Sequence, residues 1–271
     1  MVETARTERT EILYVTSFSP DLYEATGKAL LASHRALKIR SPFLVCHDGA
    51  VDFGKRRPAC VHELDRDELL KTWLRDNRDI IPTHLGGEAK ECACPERHRR
   101  HGRHEPGCHY QWFNRNASRW FRKAVAWYRA SRDDVLGGNV RYLIWLDSDC
   151  VIKRELPLHR LEKLLAGNGL LYLQGKRRFP ETGVVIFDLV AGGIRIIDGV
   201  IDHYVSKAFR SEPQWDDCWS LMTSIKRSGV PVRDLVDPMK QQSGHVLPIT
   251  PLAKYFEHHK GMHGRILDIM K

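Results

Sequence analysis

The chain has 271 residues, 42% of them hydrophobic and 28% charged, the balance of a globular protein with enough chain to bury a substantial core. No apolar run approaches the roughly 18 to 20 residues needed to span a bilayer, and the charged stretch from Met1 to Thr10 has no signal-peptide core behind it, so a soluble, cytoplasmic protein is expected, with attachment to the inner face of a membrane as the variant. The net charge of +9 suits a polyanionic partner, a description that a nucleoside diphosphate meets as well as nucleic acid does.

Residues 11–18 form a short apolar, β-branched run that ends in Ser19-Pro20, which predicts a buried first strand. Residues 22–37 place Leu22, Ala25, Ala29, Leu30 and Ala36 at helical spacing, and residues 42–46 read as a second buried strand closed by the turn formers His47-Asp48-Gly49. Strand, helix, strand predicts a parallel unit with a right-handed crossover. A polar helix over 65–80 follows, and then 88–109, rich in Cys, His, Arg, Pro and Gly without apolar periodicity, reads as an insertion rather than core. An amphipathic helix over 116–130 leads into a continuous apolar strand over 140–146. Beyond it the pattern predicts a helix over 158–165, strands over 170–174 and 183–187, helices over 199–209 and 215–227, and a His-rich terminal loop over 254–271. The fold class expected is therefore α/β: an open, mostly parallel sheet flanked by helices, with ligands at the strand C-termini.

The strongest chemical signal is Tyr142-Leu143-Ile144-Trp145-Leu146-Asp147-Ser148-Asp149, a hydrophobic strand that ends in two carboxylates one residue apart. Side chains two apart on an extended chain share a face, so Asp147 and Asp149 can address one ion. A hard cation such as Mn2+ or Mg2+ takes one or two carboxylates together with phosphate oxygens. A polar turn after a core strand is the plain alternative. Near the C-terminus, Glu257-His258-His259-Lys260-Gly261-Met262-His263-Gly264-Arg265 adds imidazole for a metal, glycine for close backbone approach and cations for phosphate.

Together these segments resemble the GT-A-fold nucleotide-sugar glycosyltransferases, in particular the glycogenin-like retaining group. The family pattern His-x-x-Gly-x-x-Lys is met by His258 and Gly261, while Gly264 stands at the lysine position with Arg265 beside it. The resemblance implies a GT-A-like, Rossmann-like fold over 1–271 as a single catalytic domain, with a nucleotide-binding half in 1–150 and an acceptor-binding half in 151–271. It implies Asp147, Asp149 and His258 as metal ligands, and Ser148, Gly261 and Arg265 on the donor. Thr16, Ser17 and Phe18 match the place where such enzymes hold the base, and Asp48 would touch the ribose or base. Arg119 and Lys123, one helical turn apart, would both reach a diphosphate. The stretch 179–188 looks like the family's Phe-Asn-x-Gly strand with Glu181 in place of the asparagine, and Trp215-Asp216-Asp217 is similar to its Asp-Gln segment, although Asp216 also reads as a helix N-cap.

The implied reaction moves a sugar from a nucleoside-diphosphate-sugar, a UDP-sugar first, to a hydroxyl on a glycan, lipid-linked or protein acceptor, with retention of configuration. Inversion would instead require Glu181, Asp216 or Asp217 to deprotonate the acceptor. In the 88–109 insertion, Cys92, Cys94, Cys108 and His109 offer the ligand set of a structural Zn2+. Without paired Cys-x-x-Cys spacing, a flexible basic lid is an equal reading. The rivals are a basic, zinc-containing nucleic-acid module, which leaves Asp147 and Asp149 without a purpose, and a metal-dependent phosphohydrolase or nucleotidyltransferase, which would need further carboxylates around a second ion.

Overall fold

A strand made only of apolar side chains, as Tyr142–Leu146 is, needs cover on both faces, and the fold supplies it. The computed structural model describes residues 11–81, 115–132, 140–239 and 245–259; the expected 88–109 insertion lies outside them, as does the terminal tract from 260 onward. In chain order the strands are β1 Ile12–Phe18, β2 Phe43–His47, β3 Cys60–Glu63, β4 Tyr142–Leu146, β5 Cys150–Ile152, β6 Leu170–Leu173, β7 Glu181–Asp188, β8 Val232–Asp234 and β9 Phe256–His258. The helices of two turns or more are α1 Lys28–Ala36, α2 Glu68–Asp76, α3 Ala117–Arg132, α4 Leu158–Leu165, α5 Ile194–Val205 and α6 Asp217–Ser228.

Seven strands form one sheet in the order β3-β2-β1-β4-β7-β6-β8. β1 to β4 run parallel, β7 is antiparallel to both β4 and β6, and β6 and β8 are parallel, so the open, mostly parallel α/β sheet expected from the sequence is present. Period-2 alternation divides β4 between two cores. Leu143 and Trp145 pack with α2, α3 and α5 through Trp73, Phe121, Trp127 and Ile197. Tyr142, Ile144 and Leu146 pack on the other face with Leu30, Leu161, Leu252 and Phe256. β5 and β9 make a separate antiparallel pair.

The predicted elements recur with shifted ends, except that β9 stands inside the stretch expected as a His-rich terminal loop, paired with the equally unexpected β5; strands of three residues are too short to carry an alternating pattern. β3 and β8 were not expected because both are short edge strands whose residues are all only half-buried, which erases the apolar run that marks a central strand. α5 begins five residues before the predicted start. A glycine pair forms the entry to the helix: Gly192 takes a φ of 106°, and its neighbour Gly193 packs so closely on the Asp188 and Gly169 carbonyls that a Cβ would not fit.

α2 is tied to the sheet by Asp67. Its carboxylate accepts from the backbone N–H of Leu69 and Leu70 as the helix cap, from Nε (2.5 Å) and a terminal nitrogen (3.1 Å) of Arg129, and lies 2.8 Å from His62 Nε2. Burial would raise the Asp67 pKa, but the His62 and Arg129 hydrogen bonds outweigh it and hold it well below the usual carboxylate range. The stability this contributes is therefore present above about pH 4 and is lost as pH falls through the folded-state value. Asp67→Asn should cost about 3 kcal/mol in urea unfolding at neutral pH, and the gap from wild type should close as the acid limb is approached; a gap independent of pH would refute the assignment.

Candidate functional site

Because β1, β2, β3 and β4 are parallel, their C-terminal ends share one edge of the sheet, the edge where ligands bind in open α/β folds. β4 delivers Asp147 there. The Asp147 N–H donates to the Gly183 carbonyl on β7 at 2.8 Å, and the Asp147 carbonyl accepts from Cys150 N at 2.9 Å, so the Asp147-Ser148-Asp149 turn is clamped at both ends. The hydroxyls of Ser148 and Thr26 lie 3.1 Å apart.

The two aspartates face different partners. Asp147 Oδ1 accepts from Lys123 Nζ at 2.7 Å and from Trp145 Nε1 at 2.8 Å. Lys123 also donates to Asp217 Oδ2 (2.7 Å) and to the Thr182 carbonyl (2.9 Å), and its ammonium lies over the rings of Trp127 and Trp145. Asp149 Oδ1 instead meets His258 Nε2 at 3.0 Å. The other nitrogen of that ring, Nδ1, lies 2.9 Å from Glu181 Oε1, which is also 3.1 Å from His245 Nδ1, while Glu181 Oε2 accepts from Arg177 at 2.9 Å.

His258 reaches this position through the β5–β9 pair, in which it stands opposite Cys150, with His259 N donating to the Asp149 carbonyl at 2.9 Å. Gly183 makes room for it: a Cβ there would fall 2.3 Å from the imidazole. Burial works to lower the His258 pKa, yet the hydrogen bonds to Asp149 and Glu181 prevail and push it up to about 9. Lys123, whose charge burial opposes, is held firmly cationic by Asp147 and Asp217. Asp217 is lowered, since Lys123 outweighs the burial that would raise it. Asp216 is pushed up to about 7 by burial and by the neighbouring Asp217; it accepts from Trp219 N, so the N-cap reading of that residue holds.

The sequence-predicted residues thus divide. Asp147, Asp149, Lys123, Glu181, Asp217 and His258 belong to one connected cluster. As a ligand set, Asp149 and His258 come together, joined by the Cys150 sulfur, but Asp147 is not in that close group and spends Oδ1 on Lys123 and Trp145. Burial keeps the Cys150 thiol well above its ordinary pKa in the absence of a metal. One carboxylate and one imidazole nitrogen at this spacing suit a divalent ion that accepts mixed oxygen and nitrogen donors, as Mn2+ does.

Arg119 and Lys123, expected to address a diphosphate together, part company: Arg119 is exposed and stacks on Trp120, whereas Lys123 is 6% exposed and committed to carboxylates. Thr16 and Phe18 are buried and Ser17 is half-buried; the Thr16 hydroxyl has no hydrogen-bond partner among the described residues. Asp48 pairs with Arg122 Nε at 2.8 Å. Gly261, Arg265, Cys92, Cys94, Cys108 and His109 lie outside the described residues. His245, Arg177 and Thr182 were missed, since only the folded register brings them to Glu181 and Asp217.

Two substitutions test this geometry. Lys123→Met leaves Asp217, 2% exposed, without its cation, at an expected cost of about 3 to 5 kcal/mol at neutral pH. The sign of its pH dependence should reverse: Asp217 would go from a depressed to a raised pKa, so the variant should lose stability as pH rises above about 4, where the wild-type pair is at full strength. Gly183→Ala should cost about 1 to 3 kcal/mol by overpacking against His258; a thermal midpoint equal to wild type would contradict the close approach.

No family model and no curated protein matches the chain. Solved structures similar to it include mouse xyloside xylosyltransferase 1 (10% identity, TM-score 0.48, covering 93% of this chain and 98% of that one) and the galactosyltransferase LgtC in complex with donor and acceptor sugar analogues (12%, 0.47, 92% and 87%). A third is the glycosyltransferase GlyE of Streptococcus pneumoniae (13%, 0.42), of which this chain spans 45%.

Proposed function

We propose that the chain is a glycosyltransferase that moves a sugar from a nucleoside-diphosphate-sugar donor to a hydroxyl acceptor with the help of a divalent ion, Mn2+ or Mg2+, and with retention of configuration. The observation that carries this reading is the meeting of Asp149 and His258, from distant parts of the sequence, at the C-terminal end of the central strand. That edge also carries a cavity of about 420 Å3 between the ends of β2 and β3, lined by His47, Val51, Phe53, Arg57 and Glu63, a mixture of ring, aliphatic and charged groups that suits a base and ribose.

Asp149 and His258 would hold the ion, with Asp147 oriented beside them by Lys123 and Trp145. When bound, the ion supplies charge stabilisation to the departing diphosphate. Retention by front-face transfer needs no strongly activated protein base, which agrees with the carboxylates present: Glu181 and Asp217 are both buried in ion pairs. Were the reaction to invert, Asp216, pushed up to about 7 and outside any ion pair among the described residues, would be the group suited to take the acceptor proton. The acceptor would be a glycan, a lipid-linked group or a protein hydroxyl. No helix among the described residues is long and apolar enough to cross a membrane.

The test is nucleotide release from UDP-, GDP-, CMP- and dTDP-sugars with and without Mn2+, with the anomeric configuration of the product read by NMR. Metal-dependent release from one donor is expected, reduced more than about 100-fold in Asp149→Asn. No release and no calorimetric donor binding across the panel would sink the transferase reading, and salt-sensitive binding of DNA or RNA in its place would favour the nucleic-acid module.

A further inference from the structure

Glu181 stands where the resemblance leads one to expect an amide, and its surroundings assign it a role that neither a sugar contact nor a general base would have. The side chain is 2% exposed and its oxygens are committed: Oε2 to Arg177, Oε1 to His245 and His258. A buried carboxylate shared by an arginine and two imidazoles is engaged in holding those groups, the arrangement of a positioning residue rather than of a general base.

The consequence falls on His258. Its ring is wedged against Gly183, set edge-on to the His245 ring at 4.7 Å between centroids, and bridged by carboxylates on both nitrogens. We propose that Glu181 is a positioning residue that takes the Nδ1–H of His258 and so turns the Nε2 lone pair toward Asp149, where the metal ion is held. The inference rests on the metal-dependent reading above and deepens it. The two sides of the ring are not equivalent. Glu181, His245 and His258 are themselves close enough to form a ligand group, but an ion there would sit beside the Arg177 guanidinium and would have to displace the donors that Glu181 already has. On the Asp149 side, the ammonium of Lys123 is already matched by Asp147 and Asp217. A carboxylate behind a metal-binding imidazole fixes its tautomer and raises its basicity, and loss of such a partner typically lowers metal affinity by about 10 to 100-fold.

The experiment measures Mn2+ binding to the full-length protein by calorimetry for wild type, Glu181→Gln and Asp149→Asn, together with the imidazole nitrogen signals of His258 in 15N-histidine-labelled protein loaded with Zn2+ as a diamagnetic probe, the signal being assigned with His258→Gln. Expected are a 10 to 100-fold weaker Mn2+ affinity in Glu181→Gln, loss of measurable binding in Asp149→Asn, and in wild type a His258 bound through Nε2 with its proton on Nδ1. Mn2+ affinity unchanged by Glu181→Gln, or a His258 bound to metal through Nδ1, overturns the inference while leaving the metal-dependent reading in place. Absence of Mn2+ binding in the wild type overturns both. The tautomer in wild type decides the matter by itself if Glu181→Gln does not fold.

Discussion

The buried ammonium of Lys123 is the interaction on which the arrangement of the site depends. It reaches from α3 to a carboxylate on the β4 turn, a carboxylate at the start of α6 and a carbonyl on β7, so a single cation joins four elements that are far apart in sequence. A charge taken this far out of water is tolerable only when its partners are complete. Each of its ligands is fixed in turn: Asp147 by Trp145 Nε1, Asp217 by the Thr182 hydroxyl at 2.6 Å, and Thr182 by its place in β7. The carboxylates that dominate the electrostatics of the site are therefore positioned before any ligand arrives.

That rigidity comes from where β4 lies. It is the strand at which the sheet changes from the parallel block β1 to β4 to the antiparallel neighbour β7, and it is covered by both cores. The end of β4 and the start of β7 meet side by side, with Leu146 opposite Val184, which brings Asp147 next to Gly183 and the Glu181-Thr182-Gly183 stretch next to the Asp147-Ser148-Asp149 turn. The three residues at the start of β7 divide the work: Glu181 faces His258, Thr182 faces Lys123 and Asp217, and Gly183 leaves space for the His258 ring.

The parts of this that were legible in the sequence are those with a strong local signal. The apolar run 140–146, the carboxylates behind it and the helices with clear periodicity at 116–130 and 158–165 recur in the structure with ends moved by no more than a few residues. Edge strands β3 and β8 were hidden because half-buried residues carry no apolar pattern, and the first turn of α5 lay outside the predicted helix over 199–209. In the site, the sequence placed Asp149 and His258 together, as they are in the fold, but the partners of Lys123 and Glu181 were not legible. A lysine on an amphipathic helix looks like a surface cation, and only packing shows that this one points inward at two carboxylates; a lone glutamate in a strand looks like a candidate base until its three partners are seen. Charge pairing across the fold is non-local, and single-sequence spacing carries no record of it.

The same contrast bears on how the cluster is completed. Asp147, Asp149, Lys123, Glu181 and Asp217 all sit in or beside the main sheet and its helices, whereas His258 arrives on β9, a three-residue strand whose only strand partner among the described residues is the equally short β5. Such a pair is marginal by itself, so β9 must be held by what it buries: Phe256 and Leu252 fill the core under α1 and α4, and one residue before β5 lies Asp149, whose carbonyl accepts from His259. The register that puts Phe256 in the core puts His258 on the same face of β9 two residues on, opposite Cys150 and directed at Asp149 and Glu181. A slip by one residue would turn both side chains over at once, so the apolar anchor that stabilises the C-terminal segment is also what fixes the imidazole between its two carboxylates.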